Sequence, residues 1–161
     1  MACPEGVVDV SIIIPSCFEN PLKAHSIDLL ADVLTQNKRA IIPVSALLGA
    51  YHIATRYIRV PRMTVKKIFE GILRSGSPAL YPHIIPQTAL DALDYASTYN
   101  IESWDGYLIS LARGLGSTVV FSLDKELARV REITVVNPFP QDEVERYHKF
   151  LESKIDQKNV P

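Results

Sequence analysis

Short runs of β-branched residues alternate along this chain with longer stretches of helical spacing. Val7–Ile14 (VVDVSIII) is apolar apart from Asp9 and Ser11 and predicts a buried parallel strand, with a turn at Pro15. Residues 21–37 carry Leu22, Ile27, Leu29, Leu30, Val33 and Leu34 close to helical spacing. Ala40–Val44 (AIIPV) predicts a second strand, and Ser45 supplies a cap for a helix over residues 45–59. From Thr64 onward, Val65, Ile68, Phe69, Ile72 and Leu73 form the apolar stripe of a helix laid on a core.

Residues 75–86 are rich in turn formers, with a short extended piece expected at His83–Ile85. Helices over Thr88–Tyr99 and Ser103–Arg113 follow, with Gly114 and Gly116 as stops. STVVFS (117–122) predicts a third strand, DKELARV (124–130) a short helix, and ITVVN (133–137) a fourth strand closed by Pro138. Val144, Tyr147, Leu151 and Ile155 share one face of a last helix within 141–157. No repeat or Gly/Ser-rich linker divides the chain. It reads as one α/β domain over residues 1–140, with 141–161 as a C-terminal helical extension of it. Strands alternating with helices imply a parallel sheet covered on both faces.

Composition narrows the class. A chain of 161 residues with 47% hydrophobic and 22% charged residues supports a packed core that buries roughly 70% of the unfolded surface. The net charge of −1 argues neither for nor against a polyanionic partner. Cys3 and Cys17 form no CxxC or CxxH pattern, which disfavours a structural zinc site or a disulfide scaffold. The first ten residues lack the basic and apolar regions of a signal peptide, and no apolar run approaches the roughly 18 residues of a membrane span. A cytoplasmic protein without membrane contact is expected.

Three aspartates carry the candidate chemistry: Asp9 in VVDVS, Asp105 in ESWDG and Asp124 in FSLDKEL. In open parallel sheets, ligand sites form beyond the carboxyl ends of the strands, where the strand order reverses. Carboxylates converging there repel one another, and a divalent cation is the simplest remedy. Each aspartate also has a plain structural reading. Asp9 could end its strand in a salt bridge. Asp105 could sit in the first turn of a helix capped by Ser103, where the dipole favours it by roughly 0.3–1 kcal/mol. Asp124 could follow a cap at Ser122. Capping explains each acid singly but not their common placement at one edge of the sheet. Ser11 could steady the Asp9 carboxylate or act as a first-turn cap.

Arg56, Arg59, Arg62, Lys66, Lys67 and Arg74 stand against the single acid Glu70. They suit either an RNA phosphate track or a solvated helix face opposite Val65, Ile68 and Ile72. Tyr51 and Tyr57 could stack on bases or pack in the core. His25, His52, His83 and His148 lack the spacing of a zinc helix and read as surface or packing residues, and Trp104 as a packing anchor.

VVDVSIII, IESWDGYLISLARGLGSTVVFSLDKEL and the closing VVNP, in this order, resemble PIN-domain proteins, the ribonuclease fold of VapC-type toxins. The resemblance covers about Val7 to Pro138. It implies a three-layer α/β/α sandwich with four to five parallel strands. It implies that Asp9, Asp105 and Asp124 bind Mg²⁺ or Mn²⁺ and hydrolyse RNA, with Ser122 hydrogen-bonding the site. A homodimer and a toxin role beside a cognate antitoxin also follow from it. The same pattern usually places a glutamate early in the helix after the second strand. Residues 41–59 hold no acid, and Gly49, or next Ala46, occupies that position; Glu102 and Asp94 are the acids that could stand in. A second expectation of another class follows: a non-catalytic scaffold of this kind that binds RNA or a protein partner.

Overall fold

The computed structural model describes residues 2–157. Its strands are short: β1 Gly6–Val8, β2 Ala40–Pro43, β3 Leu80–Tyr81, β4 Val119–Phe121 and β5 Thr134–Val136. All pair in parallel, in the order β3-β2-β1-β4-β5. Val7 of β1 lies between Ile41 of β2 and Val120 of β4, which fixes the central register. Alternate side chains leave opposite faces of a strand. Val8, Ile42 and Phe121 accordingly join one core, and Val7 and Val120 the other.

The helices are α1 Val10–Ile13, α2 Lys23–Leu34, α3 Val44–Arg56, α4 Arg62–Arg74, α5 Pro86–Tyr99, α6 Ser103–Gly114 and α7 Gln141–Asp156. Residues of α1 to α4 and α7 build the first core, and those of α5 and α6 the second. The result is the expected three-layer α/β/α sandwich. The chain winds outward from β1 through β2 to β3, then returns to place β4 on the other side of β1. The order therefore reverses between β1 and β4.

Several local expectations are corrected. The run Val7–Ile14 is not one strand: it leaves β1 at Val8, and Val10–Ile13 are helical, followed by a 3₁₀ turn over Ile14–Cys17. Ile12 and Ile13 are fully buried, and a helix with no wet side has the same apolar profile as a buried strand. The third strand to enter the sheet pairs at Leu80–Tyr81, not His83–Ile85, where Ile84 and Ile85 are exposed. Ser45 is not the cap of α3, which starts at Val44 after an extended Pro43; Ser45 lies instead beside the Tyr107 side chain. The DKELARV stretch yields only a 3₁₀ turn, Leu127–Arg129.

Helix α7 buries Val144 and Tyr147 in the first core, where the Tyr147 ring lies 6.4 Å from that of Phe18. Ile155, expected on the same face, stays largely exposed. Residues 158–161 of the expected C-terminal extension lie outside the described residues. Among the described residues no helix is long and apolar enough to cross a membrane. Helices α5 and α6 meet at Gly106, where a Cβ would lie 2.1 Å from the Ala92 carbonyl oxygen.

Candidate active site

Asp9 follows the last residue of β1, at the point where strand order reverses, and is 3% exposed. Its Oδ1 accepts the backbone N–H of Val10 at 2.7 Å, so Asp9 itself caps α1. Its Oδ2 accepts two hydroxyls, from Ser11 and from Ser122, each at 2.7 Å. Each serine spends its one proton on Asp9 and uses its oxygen to accept a backbone N–H. Leu123 donates to Ser11 and Asp124 to Ser122, both at 3.0 Å. Ser11, in α1 just beyond β1, and Ser122, just beyond β4, thus hold one carboxylate between them, while Ser122 also turns the chain toward Asp124. Burial pushes the Asp9 carboxyl above its ordinary value, opposed by these hydrogen bonds.

Asp105 sits half-buried in the first turn of α6. Ser103 makes no capping bond; the helix is preceded by Glu102, whose side chain caps nothing. Burial, followed by the negative charges of Asp9 and Asp124 and then those of Glu102 and Glu126, raises the Asp105 carboxyl to about 7. A helix dipole alone would lower it. The three aspartates therefore share one electrostatic neighbourhood, and Asp105 bears its cost. Asp124 accepts the Glu126 N–H at 2.8 Å, which directs the chain into the turn that follows.

A carboxyl at about 7 in the fold and 3.8 in an unfolded chain binds its proton more tightly when folded. Its favourable contribution is complete below pH 3.8 and is lost as pH rises to about 7. Metal-free Asp105→Asn is therefore expected to melt increasingly above wild type as pH rises across this window. A melting-point difference equal at about pH 4 and about pH 8 would contradict this origin.

Hard oxygen donors with mutual repulsion are the donor set that Mg²⁺ and Mn²⁺ favour, and Asp9 Oδ1, Asp105 and Asp124 fit in chemistry. They do not form a closed cage: among the described residues no group of three or more His, Cys, Asp and Glu side chains is drawn together tightly enough to grip an ion. Gly49 of α3 faces α1, and a Cβ there would lie 3.3 Å from Val10 Cγ1, next to Asp9. Ala46 is fully buried. Of the two acids that could stand in, Glu102 acts on Asp105, whereas Asp94 lines a separate cavity with Tyr95, Tyr99 and Glu132.

The basic stretch divides. Lys66 and Arg74 pair with Glu70 at 3.1 and 2.8 Å on the outer face of α4. Arg56, Arg59, Arg62 and Lys67 are exposed and make no ion pair among the described residues. Trp104 packs against both cores and 5.3 Å from the Tyr107 ring, and its buried indole N–H lacks an acceptor among the described residues. Each histidine lies against an aromatic ring. Glu126 was absent from the sequence expectations, although its place two residues after Asp124 puts it in the same turn.

No model of a known protein family matches the chain, and no curated protein is significantly similar to it.

Proposed function

We propose that this protein is a metal-dependent ribonuclease that hydrolyses phosphodiester bonds of RNA. The observation that carries this reading is the charge coupling of Asp105 to Asp9 and Asp124 at the switch point of the sheet. Asp9, Asp105 and Asp124 are the residues that would hold Mg²⁺ or Mn²⁺. The ion supplies a lowered pKa for a bound water and stabilises charge on the phosphoryl oxygens. Asp9 would offer its carboxylate in an orientation fixed by the Val10 N–H and two serine hydroxyls. Asp105 contributes a negative charge only when deprotonated, so metal affinity rises with pH near neutrality.

Ser122→Ala leaves Asp9 with one hydroxyl donor and the Asp124 N–H without its acceptor. It is expected to cost about 1–3 kcal/mol of stability and to lower activity about 10- to 100-fold. Unchanged cleavage would remove Ser122 from the site.

The direct test is cleavage of end-labelled mixed RNA with Mn²⁺, Mg²⁺ or EDTA, by wild type and Asp9→Asn. Metal-dependent cutting lost in the variant supports the assignment. A folded wild type that cuts nothing at high concentration overturns it. The toxin role, its antitoxin partner and the homodimer belong to the same reading; growth arrest on expression and sedimentation test them.

A second reading is favoured by the residue at position 49: a scaffold that binds RNA or a protein partner without cutting. Glycine there supplies no carboxylate beside Asp9, and the remaining acids form no closed cluster. Calorimetry separates the two, because a binding-only protein has no Mn²⁺ site tighter than roughly millimolar.

A further inference from the structure

A largely apolar groove of about 370 Å³ adjoins the acidic site. Ser11 and Asp124 line it together with Tyr57, Leu151, Lys154 and Ile155, so it joins the site to the end of α3 and the outer part of α7. Two of its walls are apolar side chains left in water: Tyr57 is 63% exposed and Ile155 52%. The Tyr57 ring is not loose, because it meets the His52 ring edge-on at 5.8 Å. Arg56 and Arg59 flank Tyr57 in the chain, are exposed and make no ion pair among the described residues. Lys154 is steadied over the Phe18 ring at 4.9 Å.

A held aromatic face, an apolar slot and a cation in its wall, Lys154, are the elements by which proteins hold single-stranded nucleic acid. Bases stack while the charges follow the phosphates. An apolar peptide would fill the slot but leave Lys154 unanswered. We propose that this groove binds the nucleobase adjoining the scissile phosphate of single-stranded RNA, stacked on Tyr57. The inference rests on the ribonuclease reading, and it makes α7 a determinant of which sequence is cut.

The test uses the full chain. Binding is read by fluorescence anisotropy of labelled single-stranded RNA in an Asp9→Asn background, where nothing is cut. Cleavage positions are read in the wild-type background. Tyr57→Ala is expected to weaken single-strand binding at least about fivefold and to shift the cleavage pattern, with duplex binding unchanged. Ile155→Ser is expected to act in the same direction, with melting curves as the check that both exposed positions tolerate the change. If wild type cuts RNA and both variants cut the same positions with the same affinity, the groove is not a base site and the ribonuclease reading stands. If wild type neither binds nor cuts RNA, both fall. If Ile155→Ser changes only the sedimenting species, the groove belongs to a second copy of the chain and the base site is overturned.

Discussion

Asp9→Asn is expected to reduce metal-dependent RNA cleavage at least about 100-fold while leaving the fold intact and raising the melting temperature at neutral pH. The amide matches the carboxylate in shape. Its oxygen can accept the Val10 N–H, and its NH₂ can donate to the Ser11 and Ser122 oxygens once those hydroxyl protons rotate away. What it removes is the negative charge most tightly fixed in the site. That charge is also costly, because burial raises the Asp9 carboxyl above its ordinary 3.8. A raised acid favours the fold most below its unfolded value, and that advantage is lost as pH rises through its folded one. The melting-point gain of Asp9→Asn should therefore appear at neutral pH and vanish below about pH 4. Added Mn²⁺ should raise the melting point of wild type, by binding the native state alone, and shift the variant much less. Differential scanning fluorimetry at two pH values, with and without Mn²⁺, reads all of this. A variant that cuts RNA as well as wild type would end the assignment of Asp9.

Gly106→Ala carries the largest expected loss of stability. In an open helix the change would gain about 1 kcal/mol. Here the new methyl would stand 2.1 Å from the Ala92 carbonyl oxygen, 3.0 Å from its carbon and 3.2 Å from the Ala96 nitrogen. All three are backbone atoms, so no side-chain rotation relieves the contact, and α5 must move away from α6. Overpacking costs about 1–3 kcal/mol in cores that can adjust, and backbone against backbone belongs at the upper end or beyond. A net loss of about 2–3 kcal/mol lowers the melting point by about 5–10 °C for a domain of this size. Gly71→Ala on α4, which meets nothing within 4 Å, is the control and should leave the melting point equal or higher. Equal melting of both variants would mean that α5 and α6 are not held at that distance. Because Asp105 precedes Gly106, activity is expected to fall along with stability.

The elements legible in the sequence were those with room for a period. The thirteen residues of α4 alternate cleanly between core and solvent, and the stripe at Val65, Phe69 and Ile72 is the buried one. VVDVSIII defeats the same reading because burial on every side erases periodicity, and only the Asp9 cap marks where strand becomes helix. Strand β3, two residues long, is too short to carry a pattern and is set by its register against Ile42 and Pro43. At the site, Asp9 and Asp124 could be read from strand ends and Asp105 from a helix start, and the fold gives the three a common charge neighbourhood. Both serines of the clamp were named from the sequence, Ser11 from its spacing and Ser122 only through the family resemblance. Ser11 lies two residues from Asp9, but the bond from Ser122 spans 113 positions and depends on β4 docking beside β1. The groove was invisible for a related reason: Tyr57 and Ile155 become neighbours only through the fold.

That long-range clamp bears on when the site comes into being as the chain emerges and folds. Ser122 and Asp124 lie about three-quarters of the way along the sequence, after β1, β2, β3 and six of the helices. Closing so large a loop has an entropic cost that only the completed sheet offsets. No partial chain that stops short of β4 can set Asp9 in its final orientation or bring Asp124 near it. The three acids come together only in the finished fold, and an unfinished one does not assemble them.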